Sequence, residues 1–276
     1  MRNMKSLREL RDRRFEAVVL DVRGTLIDPV LDTPVSNNLI RSVLHLLRGH
    51  CAVSVNTATS IRSLQTLLLA PLCSEITDTA CLSGASLYVD SSTAAYYLSE
   101  GGAALPLPGF EFLRFTESEL DGICKAMSQV ISEFGLDAVH KVKAGQVNFY
   151  CGGSWLKRRS IADYLNRCFR DSGMQRVVAM VPTAKETIDI AVSKKDRGIR
   201  DLIEHLGIPY SAMVVIGDSM QQGAPDLDMA LSAPGCLAIQ VGPVQPAVGV
   251  LHLSQMEAPE AVRLVLDGVW RNVLGN

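Results

Sequence analysis

Four polar side chains follow predicted strands or open a predicted helix, and their types suit phosphoryl transfer. Asp21 ends one short apolar run, Thr57 follows a second, and Asp218 follows another much later in the chain. Lys195 opens a predicted helix. Because ligands bind beyond the carboxyl ends of the strands in open α/β sheets, we expect these four side chains to converge in one cleft.

Each of the four groups has a role in such a reaction. The Asp21 carboxylate can act as a nucleophile and form an aspartyl-phosphate. A divalent cation offsets the repulsion between carboxylate and phosphate, and Mg²⁺ is typically held by one or two carboxylates, here Asp21 and Asp218. The Thr57 hydroxyl and the Lys195 ammonium would bind the phosphoryl oxygens, where transition-state charge spreads. Singly, each residue also fits a helix cap, a solvated helix start or an ordinary turn, so only the occurrence of all four in order predicts a phosphoryl-transfer site.

Strands and helices alternate along the chain, which predicts a parallel sheet with crossover helices. The fold class we expect is therefore α/β, with a doubly wound parallel sheet. The predicted strands are 18–20, 52–55, 147–150, 187–191, 213–216 and 237–241, with a strand-to-turn junction at 81–85. The predicted helices are 37–48, 61–69, 117–134, 155–172, 197–206 and 258–273.

The sequence also predicts a division into modules. Turn-rich segments follow Gly84, and Thr116 with Glu119 forms a capping-box pattern that predicts a helix start in the middle of the chain. We therefore expect a discontinuous core at 15–84 and 186–276 and an inserted α/β cap domain at 85–185. Residues 1–14 form a basic N-terminal extension, which predicts a solvated helix or tail, with a contact surface for a partner as the alternative.

Composition excludes several classes of protein. The 276 residues are 47% apolar and 20% charged, which predicts a full globular core. A net charge of −2 gives no basic surface for nucleic acid, and no apolar run approaches the length of a membrane span. The seven cysteines are scattered without a Cys-x-x-Cys pair, which argues against zinc and disulfides and favours a reducing cytoplasm. The N-terminus lacks the apolar region of a secretion signal.

The motifs together resemble those of the haloacid dehalogenase superfamily. Asp21-Val22-Arg23-Gly24-Thr25 resembles its first motif, Asp-x-Asp-Gly-Thr, and the strand ending at Thr57 resembles the second. Lys195 matches the third motif, with Lys194 as the alternative. Gly217-Asp218 begins the fourth, whose second Asp, Asp226, comes eight positions after Asp218, as in eukaryotic-type phosphomannomutases.

The resemblance implies a fold, a cofactor and a substrate class. An insert between the second and third motifs is similar to the large α/β cap of Cof-type phosphatases, sucrose- and trehalose-phosphate phosphatases and phosphomannomutases. The implied activity is Mg²⁺-dependent hydrolysis of small phosphorylated metabolites, particularly sugars. The implied metal ligands are Asp21, the backbone carbonyl of Arg23 and Asp218, with Asp226 nearby. The oligomeric state stays open, a homodimer included.

Within the expected cap, Lys143 to Asn148 is weakly similar to a phosphomannomutase segment, Arg-x-Gly-Met-x-Asn, that contacts sugar phosphate. Lys143 and Asn148 are therefore candidate substrate-binding residues. The alternative interpretation is an exposed hairpin turn, since a short Gly-containing turn before a strand needs no ligand to explain it.

Arg23 is the main departure from the superfamily pattern, because relatives have at this position the Asp that acts as general acid/base. Arginine offers no acceptor and keeps its proton, and loss of a positioned acid/base costs about 10²–10⁴-fold in rate. The guanidinium could pair with Asp21 or Asp218 and occlude the cation, or bind a substrate anion at the cleft mouth. Three hypotheses follow: a phosphohydrolase with another source of protons, a relative with altered chemistry such as carbon–phosphorus or carbon–halogen cleavage or transfer to an acceptor other than water, and a catalytically impaired binding or regulatory protein.

Overall fold

The computed structural model describes residues 13–29, 31, 33–76, 79–182 and 185–273. The predicted N-terminal extension lies outside these residues, apart from its last two positions. Within the described ranges, no helix is long and apolar enough to cross a membrane.

Eight strands of the described chain form the larger sheet, in the order β12-β11-β10-β1-β2-β3-β4-β5. Neighbouring strands are parallel from β12 to β3, and β4 and β5 add an antiparallel edge. Their bounds are β1 Ala17–Leu20, β2 Ala52–Asn56, β3 Ala85–Val89, β4 Ala94–Leu98, β5 Ala104–Pro106, β10 Met213–Gly217, β11 Leu237–Val241 and β12 Leu251–Leu253.

Helices cover both faces of this sheet, as the alternating pattern predicts. Alternate side chains of β1 point to opposite faces, so Val18 packs in one apolar cluster and Val19 in another. The first cluster includes helices α1 (Asn37–Arg48) and α8 (Ala258–Val273), and the second includes α6 (Lys195–Leu206) and α7 (Pro225–Leu231). The predicted α/β fold class is therefore confirmed.

Two segments between β2 and β3 in the sequence differ from the predicted elements. The predicted helix 61–69 continues further, as α2 (Ile61–Leu64), a π-helical stretch (Gln65–Leu69) and α3 (Ala70–Glu75). The strand-to-turn junction expected at 81–85 is instead a 3₁₀ helix, Thr79–Gly84, that leads into β3. Short apolar runs fit helices and strands alike, so local pattern could not separate the two.

Four described strands form a second, antiparallel sheet in the order β6-β7-β9-β8. It packs against two helices around its own apolar cluster. The predicted capping box is confirmed: Glu119 N donates to Thr116 Oγ1 at 3.2 Å, and Thr116 N donates to Glu119 Oε2 at 2.8 Å. The elements are α4 Glu117–Phe134, β6 Val139–Val142, β7 Gln146–Tyr150, α5 Trp155–Asp171, β8 Val178–Met180 and β9 Thr187–Ala191.

The sheet pairings correct the expected division of the chain at both edges. Ala85–Val89, assigned to the cap from sequence, pairs in parallel with β2 and brings β4 and β5 into the core sheet. Thr187–Ala191, assigned to the core, pairs with β7 and β8 in the second sheet. Sequence pattern shows that a stretch is a strand but not which sheet it joins. We therefore propose a core of about 13–110 and 194–273 and a cap of about 111–193.

Candidate active site

The carboxyl ends of three adjacent core strands meet at one level. The register pairs Leu20 of β1 with Val55 of β2 on one side and with Ile216 of β10 on the other. Because parallel strands run in the same direction, the residues just beyond them, Asp21, Thr57 and Asp218, reach one edge together. This edge is where open α/β sheets bind ligands.

These residues surround a narrow cavity of about 20 Å³, which has room for little more than one water molecule. A group inside it is therefore close to every side chain of the wall. Residues of both the core and the cap contribute to the wall. The lining residues are Asp21, Arg23, Thr57, Ala58, Pro182, Lys185, Asp189, Lys195, Asp218, Ser219, Pro225 and Asp226.

Lys195 joins two of the carboxylates. Its Nζ lies 2.6 Å from Asp21 Oδ1 and 2.6 Å from Asp226 Oδ1, and its side chain is only 3% exposed. Lys194, the alternative candidate, is half-exposed, lies outside the cavity wall and pairs with Asp228 at 3.5 Å. The first residue of α6, and not the one before it, therefore enters the cavity.

Backbone geometry brings the carboxylates of the fourth motif together. Asp226 Oδ2 accepts hydrogen bonds from the backbone amides of Asp218 (3.1 Å) and Ser219 (3.0 Å), which fixes the carboxylate at the start of α7. Gly24 has φ +85°, and a Cβ there would lie 2.6 Å from Asp218 Cγ. A glycine in the left-handed region is therefore required for the first motif to approach the fourth.

The site carries more negative than positive charge. Burial raises the pKa of Asp218 well above its usual range, and the charges of Asp226 and Asp21 raise it further. Burial also raises the pKa of Asp226 to about 6, although the Lys195 ammonium opposes the rise. Burial alone would lower the pKa of Lys195, but the two carboxylates beside it prevail and raise it. Three crowded carboxylates with one ammonium between them favour an additional cation.

The donor set fits a divalent metal ion. One oxygen from each of Asp21, Asp218 and Asp226 can be chosen so that all three lie within 4.8 Å of one another. Carboxylate oxygens are the hard ligands that Mg²⁺ prefers. We propose that Asp21, Asp218 and the backbone carbonyl of Arg23, the ligands that the motif resemblance implies, would hold the ion, with Asp226 beside them.

Thr57 lies in the loop between β2 and α2 and is buried. Its backbone amide donates to Tyr88 O at 2.9 Å, and its Oγ1 accepts a hydrogen bond from Thr59 N at 3.1 Å. The Thr57 hydroxyl therefore lies at a fixed place on the wall of the narrow cavity.

A second cavity of about 700 Å³ lies beside the narrow one, between cap and core, and the two share Arg23, Ala58 and Lys185. Arg23 is half-buried and borders both spaces. Lys143 and Asn148, the two candidates from the cap, line the larger cavity only. The four residues expected to converge, Asp21, Thr57, Lys195 and Asp218, thus line the narrow cavity, and the two cap candidates line the neighbouring one.

Lys143 is also engaged within the protein. Its Nζ donates to Asp90 Oδ1 (2.8 Å), to the carbonyl of Ala58 (2.9 Å) and to Gln146 Oε1 (3.3 Å). Asp90 and Ala58 belong to core loops, so the Lys143 side chain connects the cap to the core through hydrogen bonds. Asn148 Nδ2 donates to Asp189 Oδ1 at 2.7 Å.

A turn with left-handed backbone conformation, formed by Asp90, Ser91 and Ser92, makes hydrogen bonds to the segment that carries Thr57. Asp90, Ser91 and Ser92 have φ of 49°, 59° and 61°, a conformation that is uncommon for residues other than glycine. Ser91 N donates to Thr57 O at 3.0 Å, and Ser92 Oγ donates to Asn56 Oδ1 at 2.9 Å. Asn56 Nδ2 in turn donates to the carbonyl oxygen of the lysine that opens α6, at 2.7 Å. The turn therefore contacts the loop after β2, the start of α6 and, through Asp90, the cap.

Three polar residues of the narrow cavity were not among the predicted site residues: Lys185, Asp189 and Ser219. Asp189 carried a signal that could have been used, because Asp is depleted in strands and lies here inside the apolar run Thr187–Ala191. The sequence pattern places this run in the core segment 186–276, whereas its pairing in the second sheet brings Asp189 to the cap side of the site.

The two modules and the position of the site define the fold class: this is the haloacid dehalogenase fold with an inserted cap. Neither a family model nor a curated protein matches the sequence. Among solved structures, IMP-bound, N-terminally truncated IMP-nucleotidase of Plasmodium falciparum superposes with a TM-score of 0.73 at 15% identity, over 98% of this chain and 71% of that one.

Trehalose-6-phosphate phosphatase of Aspergillus fumigatus superposes with a TM-score of 0.60 at 14% identity, over 98% of this chain and 97% of that one. A trehalose-6-phosphate phosphatase related protein gives 0.56 at 14% identity, over 94% and 98%. At such identities the likeness shows the fold. The closer resemblance to Cof-type phosphatases and phosphomannomutases stays a prediction.

Proposed function

We propose that this protein is a Mg²⁺-dependent phosphohydrolase acting on a small phosphorylated metabolite. The observation that carries the proposal is the buried cluster of Asp21, Asp218 and Asp226 around Lys195, in one small cavity with Thr57. Phosphoryl transfer through an aspartyl-phosphate needs a carboxylate nucleophile, ligands for a cation, an ammonium group and a hydroxyl group.

Each residue has a distinct role in the proposed reaction. Asp21 attacks phosphorus and becomes phosphorylated, and water then releases phosphate from it. Lys195 orients the Asp21 carboxylate and, with the Thr57 hydroxyl, binds the phosphoryl oxygens. Asp218 and Asp226 supply negative charge for the cation. Mg²⁺, when bound, would offset the repulsion between the Asp21 carboxylate and the phosphate.

The larger cavity is the proposed place for the leaving group. Its volume of about 700 Å³ falls in the range of small-molecule sites. Its wall contains one acidic side chain, Glu186, and four cationic side chains, those of Arg23, Lys141, Lys143 and Lys185. Arg23 and Asn148 are the proposed substrate-binding residues in this wall, and sugar phosphates are the first substrate class to test. Because Lys143 is held by core groups, we expect it to act mainly by positioning the cap.

Arg23 favours a second candidate, a binding or regulatory protein on the same scaffold. Its guanidinium borders the cavity at the position where relatives have their acid/base. It cannot take up or release a proton in that role. Under this alternative the site binds a phosphorylated ligand with Mg²⁺ but does not hydrolyse it.

Hydrolysis of p-nitrophenyl phosphate separates the two candidates. We expect turnover that requires Mg²⁺, that is lost in Asp21→Asn and that is kept in Asp163→Asn, a matched change at an exposed cap position. Phosphate binding without turnover under any metal condition would support the binding protein instead. Turnover that persists in Asp21→Asn would contradict the assigned nucleophile.

A further inference from the structure

The proposed phosphohydrolase lacks a proton donor in its first motif, and the narrow cavity contains a carboxylate with no role so far. Four aspartates line that cavity. Asp21, Asp218 and Asp226 form the cluster around Lys195, and the fourth, Asp189, comes from the cap. A carboxylate from the cap thus lines the same small cavity as the proposed nucleophile.

The structure holds Asp189 in a defined orientation. It lies in the middle of β9, opposite Asn148 of β7, and is only 2% exposed. Asn148 Nδ2 donates to its Oδ1 at 2.7 Å, and Thr187 Oγ1 lies 3.4 Å from the same oxygen. Both contacts fall on Oδ1, and Oδ2 has no hydrogen-bond partner among the described residues. The second oxygen is therefore available to a group in the cavity.

We propose that Asp189 is the general acid/base of this enzyme and replaces the carboxyl group that Arg23 displaces; this inference rests on the proposed function. In the first step Asp21 Oδ attacks phosphorus and the bond from phosphorus to the leaving oxygen breaks. The electron pair stays on that oxygen, which takes the proton of the Asp189 carboxyl and leaves as an alcohol.

In the second step the same carboxylate acts as a base. Asp189 takes a proton from water as the water oxygen attacks phosphorus, and the bond from phosphorus to the Asp21 oxygen breaks. Inorganic phosphate leaves, and both side chains return to their starting protonation states. Asn148 acts as a positioning residue, because its amide fixes the Asp189 carboxyl group without touching the reacting atoms.

Leaving-group dependence tests this role, because a good leaving group needs no proton. The value of kcat/KM reports the first step only. For Asp189→Asn we expect kcat/KM to fall about 100-fold or more with an alkyl phosphate such as glycerol 3-phosphate, and less than about 10-fold with p-nitrophenyl phosphate. Loss of the base in the second step should also produce a burst of p-nitrophenol as phosphorylated Asp21 accumulates.

Two further variants separate chemistry from structure. Arg23→Asp, introduced into Asp189→Asn, should restore hydrolysis of the alkyl phosphate by returning a carboxyl group to the first motif. Asp163→Asn, which removes a cap carboxylate outside the cavity, should change neither substrate's kcat/KM. Melting temperatures measured alongside show whether each variant is folded.

Equal losses with both substrates, or no loss with either, would overturn the assignment of Asp189 and leave the phosphohydrolase standing. A wild-type protein that releases no p-nitrophenol with Mg²⁺ would overturn both together. The two failures are therefore distinguishable.

Discussion

Replacing Lys143 with Met should loosen the contact between cap and core. The ammonium makes three hydrogen bonds, and the side chains of Lys143 and Asp90 are only 17% and 19% exposed. Hydrogen bonds to charged groups contribute about 1.5–3 kcal/mol when buried, whereas fully exposed ion pairs contribute about 0–1 kcal/mol. For this partly buried pair we expect a loss of about 2–3 kcal/mol in the free energy of unfolding.

Urea unfolding of Lys143→Met and Lys141→Met provides the comparison. Lys141 lies two positions earlier, lines the same cavity and is exposed, so its replacement removes the same charge with a change of about 0.5 kcal/mol or less. Equal stabilities for the two variants would refute the reasoning. If Lys143→Met kept full stability and raised only KM, Lys143 would be a substrate contact and not a tether.

The remaining predictions concern the site and the cap. Arg23→Ala should raise KM more than it lowers kcat, since a substrate-binding guanidinium contributes uniform binding; a fall in kcat alone would contradict this. Gly24→Ala should destabilise the protein by at least about 1 kcal/mol and lower kcat/KM at least about 10-fold, because its Cβ would clash with Asp218; calorimetry and steady-state kinetics check both. Arg176 lowers the pKa of Glu119 to about 2, so this carboxylate stabilises the fold above about pH 4.5 and the contribution disappears as pH falls toward 2. At pH 7, Glu119→Gln should therefore lower the free energy of unfolding by about 1 kcal/mol more than Glu117→Gln does, and this difference should shrink progressively below pH 4. A difference between the two variants that does not change with pH would contradict the prediction.

Most of the core could be predicted from the sequence because buried parallel strands have a recognisable local sequence pattern. Short β-branched runs such as Ala17–Leu20 are buried on both faces, and each ends in a polar residue at the ligand-binding edge. The convergence of Asp21, Thr57 and Asp218 then follows from strand direction alone. The position of Lys195 at the same edge of the sheet could be predicted because this residue begins a helix.

The cap side of the site could not be predicted, because it depends on pairing between distant strands. Asp189 reaches the cavity only because β9 pairs with β7, and no local pattern specifies that partner. The engagement of Lys143 by Asp90 joins residues 53 positions apart. Charge and spacing identified Lys143 as a residue of interest, but only the fold shows what its ammonium contacts.

The left-handed turn at Asp90, Ser91 and Ser92 has a consequence for which substitutions the chain tolerates. Each such residue costs about 1–2 kcal/mol relative to a relaxed backbone, and glycine would remove that cost. Ser91 contributes only its backbone amide to the hydrogen bonds described, whereas the other two side chains bind Lys143 and Asn56. Glycine should therefore be accepted at position 91 in variants selected for stability and in variants selected for activity. Variants selected for activity should retain Asp90 and Ser92.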